Sequence, residues 1–375
     1  MFQRVTIAGG PRERGRQYGA QAAPLIRHSI ASYARLFAYM RGIDWAAAQV
    51  AALDYLPLIE RHAPDLVAEM RGIAEGAGRS FGEIVALNAR TELLAGTRRD
   101  SAHPEYADAM GRNTQADVPM HGECTTVAAL PSATASGQTL LGQTWDWHGD
   151  QRVACVLLQI SAPGEPAILT VTEAGMLAKI GLNDAGVGVS LNILYSFGDG
   201  EAAGMPVHVQ LRRALQARSV AAAEALVFEA QAGASSCITL ADVGGAAVSL
   251  EISPAGVSRH APRDGLLVHT NHCVTPSAQA TQRPLLATSA SEPRFERAGA
   301  LLGEARGQIT RDTIIGVLRD HGAPPTGICR HPDQRLHPAN QVESVTGVVL
   351  DLAERAMYVA AGIPCETPFE RCAFM

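Results

Sequence analysis

Hydrophobic positions in the first third of the chain recur every three or four residues, and this spacing predicts helices. The clearest case is the stretch that ends at Met40, whose apolar side chains fall on one helical face. Ser80 and Glu83 have the spacing of a capping box and predict the start of a later helix that runs through Glu92. Predicted helices cover residues 20–40, 44–61, 64–77 and 80–92, after a predicted strand at 2–8. The N-terminal third is therefore expected to be mainly helical.

From Cys124 onward the pattern changes to short β-rich runs that glycine, proline and aspartate turns separate. Strands are predicted at 124–130, 139–142, 153–160, 167–172, 187–194, 236–240, 247–252, 265–268, 345–350 and 356–360. Helices are predicted at 206–217, 220–232, 293–304 and 310–320. Blocks of strands framed by blocks of helices are typical of a layered α+β protein and not of βαβ alternation.

A polar segment separates these two parts of the chain. Residues 97–121 contain few hydrophobic anchors. A structureless segment of about 25 residues is unusual inside a compact domain unless it is a functional or processed loop. The segment ends just before Cys124, so we predict that the peptide bond between Glu123 and Cys124 is cleaved.

Cleavage there would give Cys124 two chemical groups that nucleophilic catalysis needs. Its thiol is the nucleophile, and the freed α-amine, with an ordinary pKa near 8, is a base. The turn that follows the first strand brings the motif Gly142-Gln143-Thr144-Trp145-Asp146-Trp147 back beside Cys124, and Asp146 could then orient the amine. Two alternatives are that Cys124 is a small buried hydrophobic residue and that Asp146 caps backbone donors in a turn.

Composition and charge exclude some classes of protein. The chain has 375 residues, 47% of them hydrophobic and 18% charged, and a net charge of -6. No cluster of arginine or lysine suggests a nucleic-acid partner, and no apolar run approaches the roughly 20 residues that cross a bilayer. The first ten residues lack the pattern of a secretory signal, which predicts a cytoplasmic location. The sequence leaves room for a homo-oligomer.

The cysteines and histidines give no familiar metal-binding or disulfide pattern. The seven cysteines are widely scattered and form no CxxC pair. His148, His269 and His272 lack the HExxH-type spacing of a zinc site. We therefore expect no metal, no disulfide framework and no cofactor.

Five motifs, in order along most of the chain, resemble one family. They are Leu87-Asn88-Ala89-Arg90-Thr91-Glu92, Gly122-Glu123-Cys124-Thr125-Thr126, Gly142-Gln143-Thr144-Trp145-Asp146-Trp147, Gly181-Leu182-Asn183-Asp184-Ala185-Gly186-Val187-Gly188 and His269-Thr270-Asn271-His272. This pattern resembles the autoproteolytic N-terminal-nucleophile (Ntn) acyltransferases and hydrolases related to fungal acyl-coenzyme A:6-aminopenicillanic acid acyltransferase, peptidase family C45. The resemblance implies a single Ntn-hydrolase domain over 1–375, built as a four-layer αββα sandwich and cleaved into chains 1–123 and 124–375.

The resemblance also implies roles for individual residues. Asn271 and Asn192 match positions that stabilise the oxyanion, Arg294 resembles an arginine near the nucleophile, and Trp145 is expected on the substrate side of the site. Where related hydrolases have an arginine, this chain has Gln143, so a charge that activates the thiol would have to come from elsewhere.

The implied activity is cleavage of the amide bond in a small acylated amine or amino acid through a thioester on Cys124. Two alternatives stay open. One is an acyl-CoA-dependent N-acyltransferase. The other is a catalytically silent or uncleaved protein that binds small acyl compounds. Two residues keep this alternative open: Glu123 stands where the best-known relative has glycine, and Gln143 stands where the related hydrolases have arginine.

Overall fold

The computed structural model describes residues 1–95 and 123–375. The predicted processed segment, 97–121, lies outside the described residues. Helices in the N-terminal part are α1 (Pro11–Arg41), α2 (Trp45–Ala52), α3 (Leu56–His62), α4 (Pro64–Ala77), α5 (Phe81–Asn88) and α6 (Arg90–Ala95). Later helices are α7 (Val207–Leu215), α8 (Val220–Phe228), α9 (Pro276–Gln279), α10 (Ser291–Glu304) and α11 (Arg311–Leu318). In the described residues, no helix is both long and apolar enough to cross a membrane.

The helix predicted over 80–92 is two helices. The capping box forms as predicted, with Ser80 accepting from the Glu83 amide and Glu83 accepting from the Ser80 amide. The two helices are separated at Ala89. The side chain of the preceding residue, Asn88, donates to the Gly175 carbonyl at 3.0 Å and accepts from the Leu177 amide at 2.9 Å. Asn88 thus fastens the end of α5 to a distant loop, which helical periodicity does not reveal.

The strands form two sheets. They are β1 (Gln3–Ala8), β2 (Thr125–Ala129), β3 (Leu140–His148), β4 (Cys155–Ser161), β5 (Ile168–Glu173), β6 (Ile180–Asn183), β7 (Val187–Ile193), β8 (Ser236–Asp242), β9 (Ala247–Ser253), β10 (Gly256–His260), β11 (Leu266–His269), β12 (Val342–Asp351), β13 (Ala356–Ala360) and β14 (Phe369–Ala373). The larger sheet has the order β1-β4-β5-β6-β7-β8-β9-β10, and the smaller has the order β11-β2-β3-β12-β13-β14. The strand β1 pairs with β4 in parallel.

The two sheets lie between two helical layers. Strand β2 contacts β7, and β6 contacts β12 and β13, so the sheets face each other. Helices α1, α7 and α8 pack on the larger sheet, and α10 and α11 pack on the smaller one. The Gln143 side chain joins the sheets, because its amide group donates to the Leu191 carbonyl and accepts from the Leu191 amide of β7. This arrangement confirms the predicted four-layer αββα sandwich of the α+β class.

Candidate active site

Cys124 lies just before β2, beside the end of β3. The first pair of this hairpin is Thr125 with Thr144. The backbone amide of Asp146 interacts with the Cys124 thiol, as a hydrogen-bond donor that favours the thiolate. The hairpin therefore brings Cys124 and Asp146 together, as their order in the sequence suggests.

The carboxylate of Asp146 is buried in strand β3 and accepts one hydrogen bond from a distant serine. Ser344 Oγ donates to Asp146 Oδ1 at 2.7 Å, while Asp146 Oδ2 is buried with no hydrogen-bond partner among the described residues. Burial raises the pKa of Asp146 to about 7, although Arg294 and the Ser344 hydrogen bond lower it. Asp146 does not cap a turn, so that alternative from the sequence is wrong.

Glu123, on the other side of the predicted scissile bond, is held at three points. Its side chain is 3% exposed. One carboxylate oxygen accepts from Arg330 Nη1 at 2.5 Å and from Thr326 Oγ1 at 3.3 Å, and the other accepts from the Ala290 amide at 3.1 Å. The residue before Cys124 is therefore fixed by segments more than 160 positions away, which no local pattern in the sequence indicates.

Two of the predicted residues meet at the backbone carbonyl of Cys124. Asn192 Nδ2 donates to this oxygen at 2.9 Å, and Arg294 Nη1 donates to it at 2.8 Å. Arg294 Nη1 also donates to Thr125 Oγ1 at 2.8 Å. In this state both side chains hold Cys124 through its own carbonyl, and this carbonyl is not the one that the thiol would attack.

Asn271 contacts Arg294 and the end of β7. Its Nδ2 donates to the Ile193 carbonyl at 3.0 Å, and its Oδ1 accepts from Arg294 Nη2 at 3.2 Å. Asn271 also lines a cavity of about 20 Å³ together with Glu123 and Tyr195. That volume has room for about one water molecule. Of the two predicted oxyanion donors, Asn271 thus borders free space next to Glu123.

A buried group of charges extends from the site into the core. The Lys179 ammonium pairs with Glu173 and lies 3.5 Å from the centre of the Trp145 ring. Arg90 Nη2 lies 3.5 Å from the same Glu173 carboxylate. Trp145 is 4% exposed. Its predicted contact with substrate would therefore need a substrate group that reaches this buried pair, and the contact stays a prediction.

The surroundings of Cys124 favour the neutral thiol over the thiolate. Burial and the Asp146 carboxylate raise its pKa to about 12, against the smaller opposing effects of Lys179 and Arg294. A base must therefore take the thiol proton before attack. Gln143 carries no charge that could lower the pKa of the thiol. Lys179 and Arg294 are the positively charged side chains that lower it.

A second cavity begins beside the same site. In the described part of the chain it is lined by apolar side chains that include Met40, Leu94 and Ile193, with Arg90 and Tyr195. Its volume is about 20 Å³. Tyr195 borders both cavities and lies between the Glu123 side and this apolar side.

Comparisons with known proteins match this chain to one family. A family model described as acyl-coenzyme A:6-aminopenicillanic acid acyl-transferase matches residues 133–363. The 40 kDa form of acyl-coenzyme A:6-aminopenicillanic-acid-acyltransferase from Emericella nidulans is 31% identical over 330 residues, which are 87% of this chain and 84% of that protein.

Two solved structures are similar to this chain at lower sequence identity. A Caenorhabditis elegans N-acylethanolamine-hydrolyzing acid amidase ortholog has 16% identity and a TM-score of 0.45, covering 61% of this chain and 93% of that one. Penicillin V acylase from Agrobacterium tumefaciens has 14% identity and a TM-score of 0.42, covering 63% and 82%. From the family match and the identity to the Emericella protein, this chain belongs to the acyl-coenzyme A:6-aminopenicillanic acid acyl-transferase family.

Proposed function

We propose that this protein is a self-processing enzyme of acyl transfer or amide hydrolysis, with Cys124 as its nucleophile. Its substrates would be small acylated amines or amino acids. The main support for this proposal is that the residues on both sides of the Glu123–Cys124 peptide bond are held in place by side chains and backbone groups from other parts of the chain. Arg330 and the Ala290 amide hold the Glu123 side chain, while Arg294 and Asn192 hold the Cys124 carbonyl.

Processing would begin with attack of Cys124 Sγ on the Glu123 carbonyl carbon. Asp146 is the candidate acceptor of the thiol proton, because Oδ2 of its buried carboxylate has no other partner among the described residues. The tetrahedral intermediate collapses as the amide nitrogen takes a proton and leaves as the α-amine of Cys124, which gives a thioester with Glu123. Water then hydrolyses the thioester and leaves a Glu123 carboxylate on chain 1–123.

The same groups would serve turnover on chain 124–375. The new α-amine would take the thiol proton, Asp146 would hold the resulting ammonium group, and Cys124 would form a thioester with the acyl group of the substrate. Asn271 is the candidate donor to the oxyanion. The apolar cavity beside Arg90 and Tyr195 is the candidate site for the acyl group, and at about 20 Å³ it would have to widen to hold one.

Water or a second amine could accept the acyl group from the thioester. We favour hydrolysis, because water is always available and the sequence contains no recognisable site for the phosphates of coenzyme A. The name of the Emericella relative favours the second candidate, transfer from an acyl-CoA to an amine. Amides and acyl thioesters tested together, with and without an acceptor amine, would separate the two activities.

Intact-mass spectrometry of purified protein tests the processing step. The expected result is two chains of 123 and 252 residues for the wild type, and one uncleaved chain for Cys124→Ala. Cys155→Ala, at another buried cysteine, is the matched control and should be processed. Asp146→Asn should fold but lose processing, turnover or both.

A single full-length species in the wild type, indistinguishable from Cys124→Ala, would remove the self-processing proposal. A thiol-directed probe would then test the silent-binder alternative. An inert site predicts that Cys124 reacts no faster than the buried Cys155 and Cys237, whereas an activated thiol reacts faster.

A further inference from the structure

Two histidines and two cysteines form a cluster at the loop that follows α11. It consists of His321, Cys329, His331 and Cys365, and one ligand atom from each residue lies within 4.8 Å of those of all the others. His331 Nε2 is 3.2 Å from His321 Nε2 and 3.2 Å from Cys365 Sγ. We propose that these four side chains bind one Zn²⁺ ion in a closed, structural site.

The distances suit a tetrahedral ion. With Zn–S near 2.3 Å and Zn–N near 2.0 Å, tetrahedral geometry places pairs of ligand atoms ~3.3 to ~3.8 Å apart. The two distances at His331 Nε2 are close to this range, and the widest separation exceeds it by only ~1 Å. One imidazole nitrogen has a single proton or a single lone pair, so it cannot fully satisfy two neighbours by hydrogen bonding. A shared metal ion satisfies all four atoms together.

The donor set favours zinc over harder ions. Two thiolates and two imidazoles are a Cys₂His₂ set, which selects Zn²⁺ over Mg²⁺ or Ca²⁺. Binding would release the two thiol protons to solvent, and the thiolate charges would neutralise the ion. The other nitrogen of His331, Nδ1, lies 3.4 Å from Glu366 Oε1. A carboxylate behind a histidine ligand fixes the ring orientation and strengthens the ligand.

The local backbone brings these residues together although the sequence spaces them irregularly. The amides of Ile328 and Cys329 both donate to the Asp320 carbonyl, at 3.0 and 2.9 Å, so the loop closes next to His321. Cys365 comes from the connection between β13 and β14, and Arg319 Nε donates to the neighbouring Pro364 carbonyl at 2.8 Å. The ion would therefore join two surface connections of the smaller sheet.

The site would also support the candidate active site. Arg330 lies between Cys329 and His331, and its guanidinium binds Glu123. The Arg330 amide donates to Ser344 Oγ at 2.9 Å, and Ser344 in turn donates to Asp146. This consequence rests on the proposed function, whereas metal binding does not.

The test is elemental analysis of the full-length protein, purified without chelators and under reducing conditions. We expect about one zinc per chain in the wild type and in Cys124→Ala, so a failure of self-processing leaves the metal result readable. The double variant Cys329→Ser/Cys365→Ser should lose the metal. The control Cys372→Ser, at a buried cysteine outside the group, should keep it. Glu366→Gln should bind zinc about 10-fold more weakly in a competition titration with a chelating dye.

Two further measurements on the unmutated protein cover the case in which a variant fails to fold. Zinc removal should lower the melting temperature, and added zinc should restore it. Replacement of zinc by Co²⁺ should give the thiolate charge-transfer absorption of a tetrahedral site. The proposal is overturned if the apoprotein binds neither ion, or if protein purified without reductant is two hydrogens lighter because Cys329 and Cys365 form a disulfide. It is also overturned if Cys329→Ser/Cys365→Ser folds and keeps its zinc.

Discussion

Ser344 connects the two ends of the candidate site at the scale of single residues. Its hydroxyl donates to Asp146 Oδ1 at 2.7 Å and accepts from the Arg330 amide at 2.9 Å. Ser344→Ala would leave both carboxylate oxygens of Asp146 without a hydrogen-bond donor among the described residues. Because an unpaired buried polar group is costly, we expect a loss of about 1–3 kcal/mol in the free energy of unfolding and slower processing. Urea unfolding and intact-mass time courses measure the two effects.

The control for this variant is Ser249→Ala. The Ser249 hydroxyl is also buried, and it shares a 2.7 Å hydrogen bond with Thr239, in the larger sheet. Ser249→Ala should lower the free energy of unfolding without changing the rate of processing per folded molecule. Equal processing rates for the two variants would contradict a supporting role for Ser344 at Asp146.

The sequence reveals the residues of this site that lie in motifs and misses those that do not. Cys124 and Asp146 are found from the predicted hairpin and Asn192 from the family resemblance, and the three residues lie together. Arg330 and Ser344 reach the site through tertiary structure from about 200 positions away, so neither periodicity nor spacing marks them. The proposed metal ligands were missed for the same reason, since four loop residues with irregular spacing have no local signature.

At the scale of elements, helices α1 and α4 make their closest contact through glycine. A Cβ atom built on Gly15 would lie 2.0 Å from the Glu69 carbonyl oxygen and 2.8 Å from Gly72 Cα, both backbone atoms that cannot turn aside. We expect Gly15→Ala to destabilise the protein by about 1–3 kcal/mol through overpacking, in spite of the better helix propensity of alanine.

The matched control is Gly316→Ala in α11. A Cβ atom there meets no atom within 4 Å, so only helix propensity acts and stability should rise by about 0.5–1 kcal/mol. Melting temperatures of the two variants should move in opposite directions. A neutral or stabilising Gly15→Ala would mean that α1 and α4 can separate at little cost.

A buried ion pair joins strand β9 of the larger sheet to β11 of the smaller sheet. His269 Nε2 lies 2.9 Å from Glu251 Oε1. Burial opposes both charges, but Cys237 and Glu251 raise the pKa of His269 to about 10, and His269 with Thr275 lowers the pKa of Glu251 to about 2. Both side chains are therefore charged between pH values of about 2 and about 10.

This pair predicts a stability profile with two sides. The pair contributes fully to the free energy of unfolding between pH 4.5 and pH 6.5, which are the ordinary pKa values of the two groups. The histidine part is lost as pH rises from 6.5 toward 10, and the glutamate part is lost as pH falls from 4.5 toward 2. Urea unfolding at several pH values should give this profile for the wild type and a flatter one for Glu251→Gln/His269→Gln. Asp333→Asn, at an exposed ion pair, should leave the profile nearly unchanged.

Elements with strong patterns are predicted well, and short or partly exposed strands are not. The long helix α1 and the longer strands have clear periodicity. The four-residue strand β6 contains Gly181, and β14 contains Glu370 and Arg371 and is partly exposed, so neither has the hydrophobic alternation of a typical strand. These strands form by pairing with neighbours that are already in place, which is information from the tertiary structure.

At the scale of the whole molecule, the two predicted chains are folded into each other. Strand β1 pairs in parallel with β4. Glu69 of α4 binds both Arg14 of α1 and Arg212 of α7, and all three side chains are at most 2% exposed. We expect chains 1–123 and 124–375 to elute together in native size-exclusion chromatography, at the volume of uncleaved Cys124→Ala, and to separate only in denaturant. Separate elution without denaturant would show that these contacts do not hold the cleaved protein together.

Lys179 is the only lysine in the chain, and its side chain is 1% exposed. Acylating dyes and amine-reactive crosslinkers would therefore find no accessible side-chain amine on the folded protein, and would label chain N-termini alone. A label at Lys179, in addition to those at the N-termini, would show that the core of that molecule had opened. A brief pulse of dye would therefore count the molecules that unfold during the pulse, and no mutation is needed to introduce the probe.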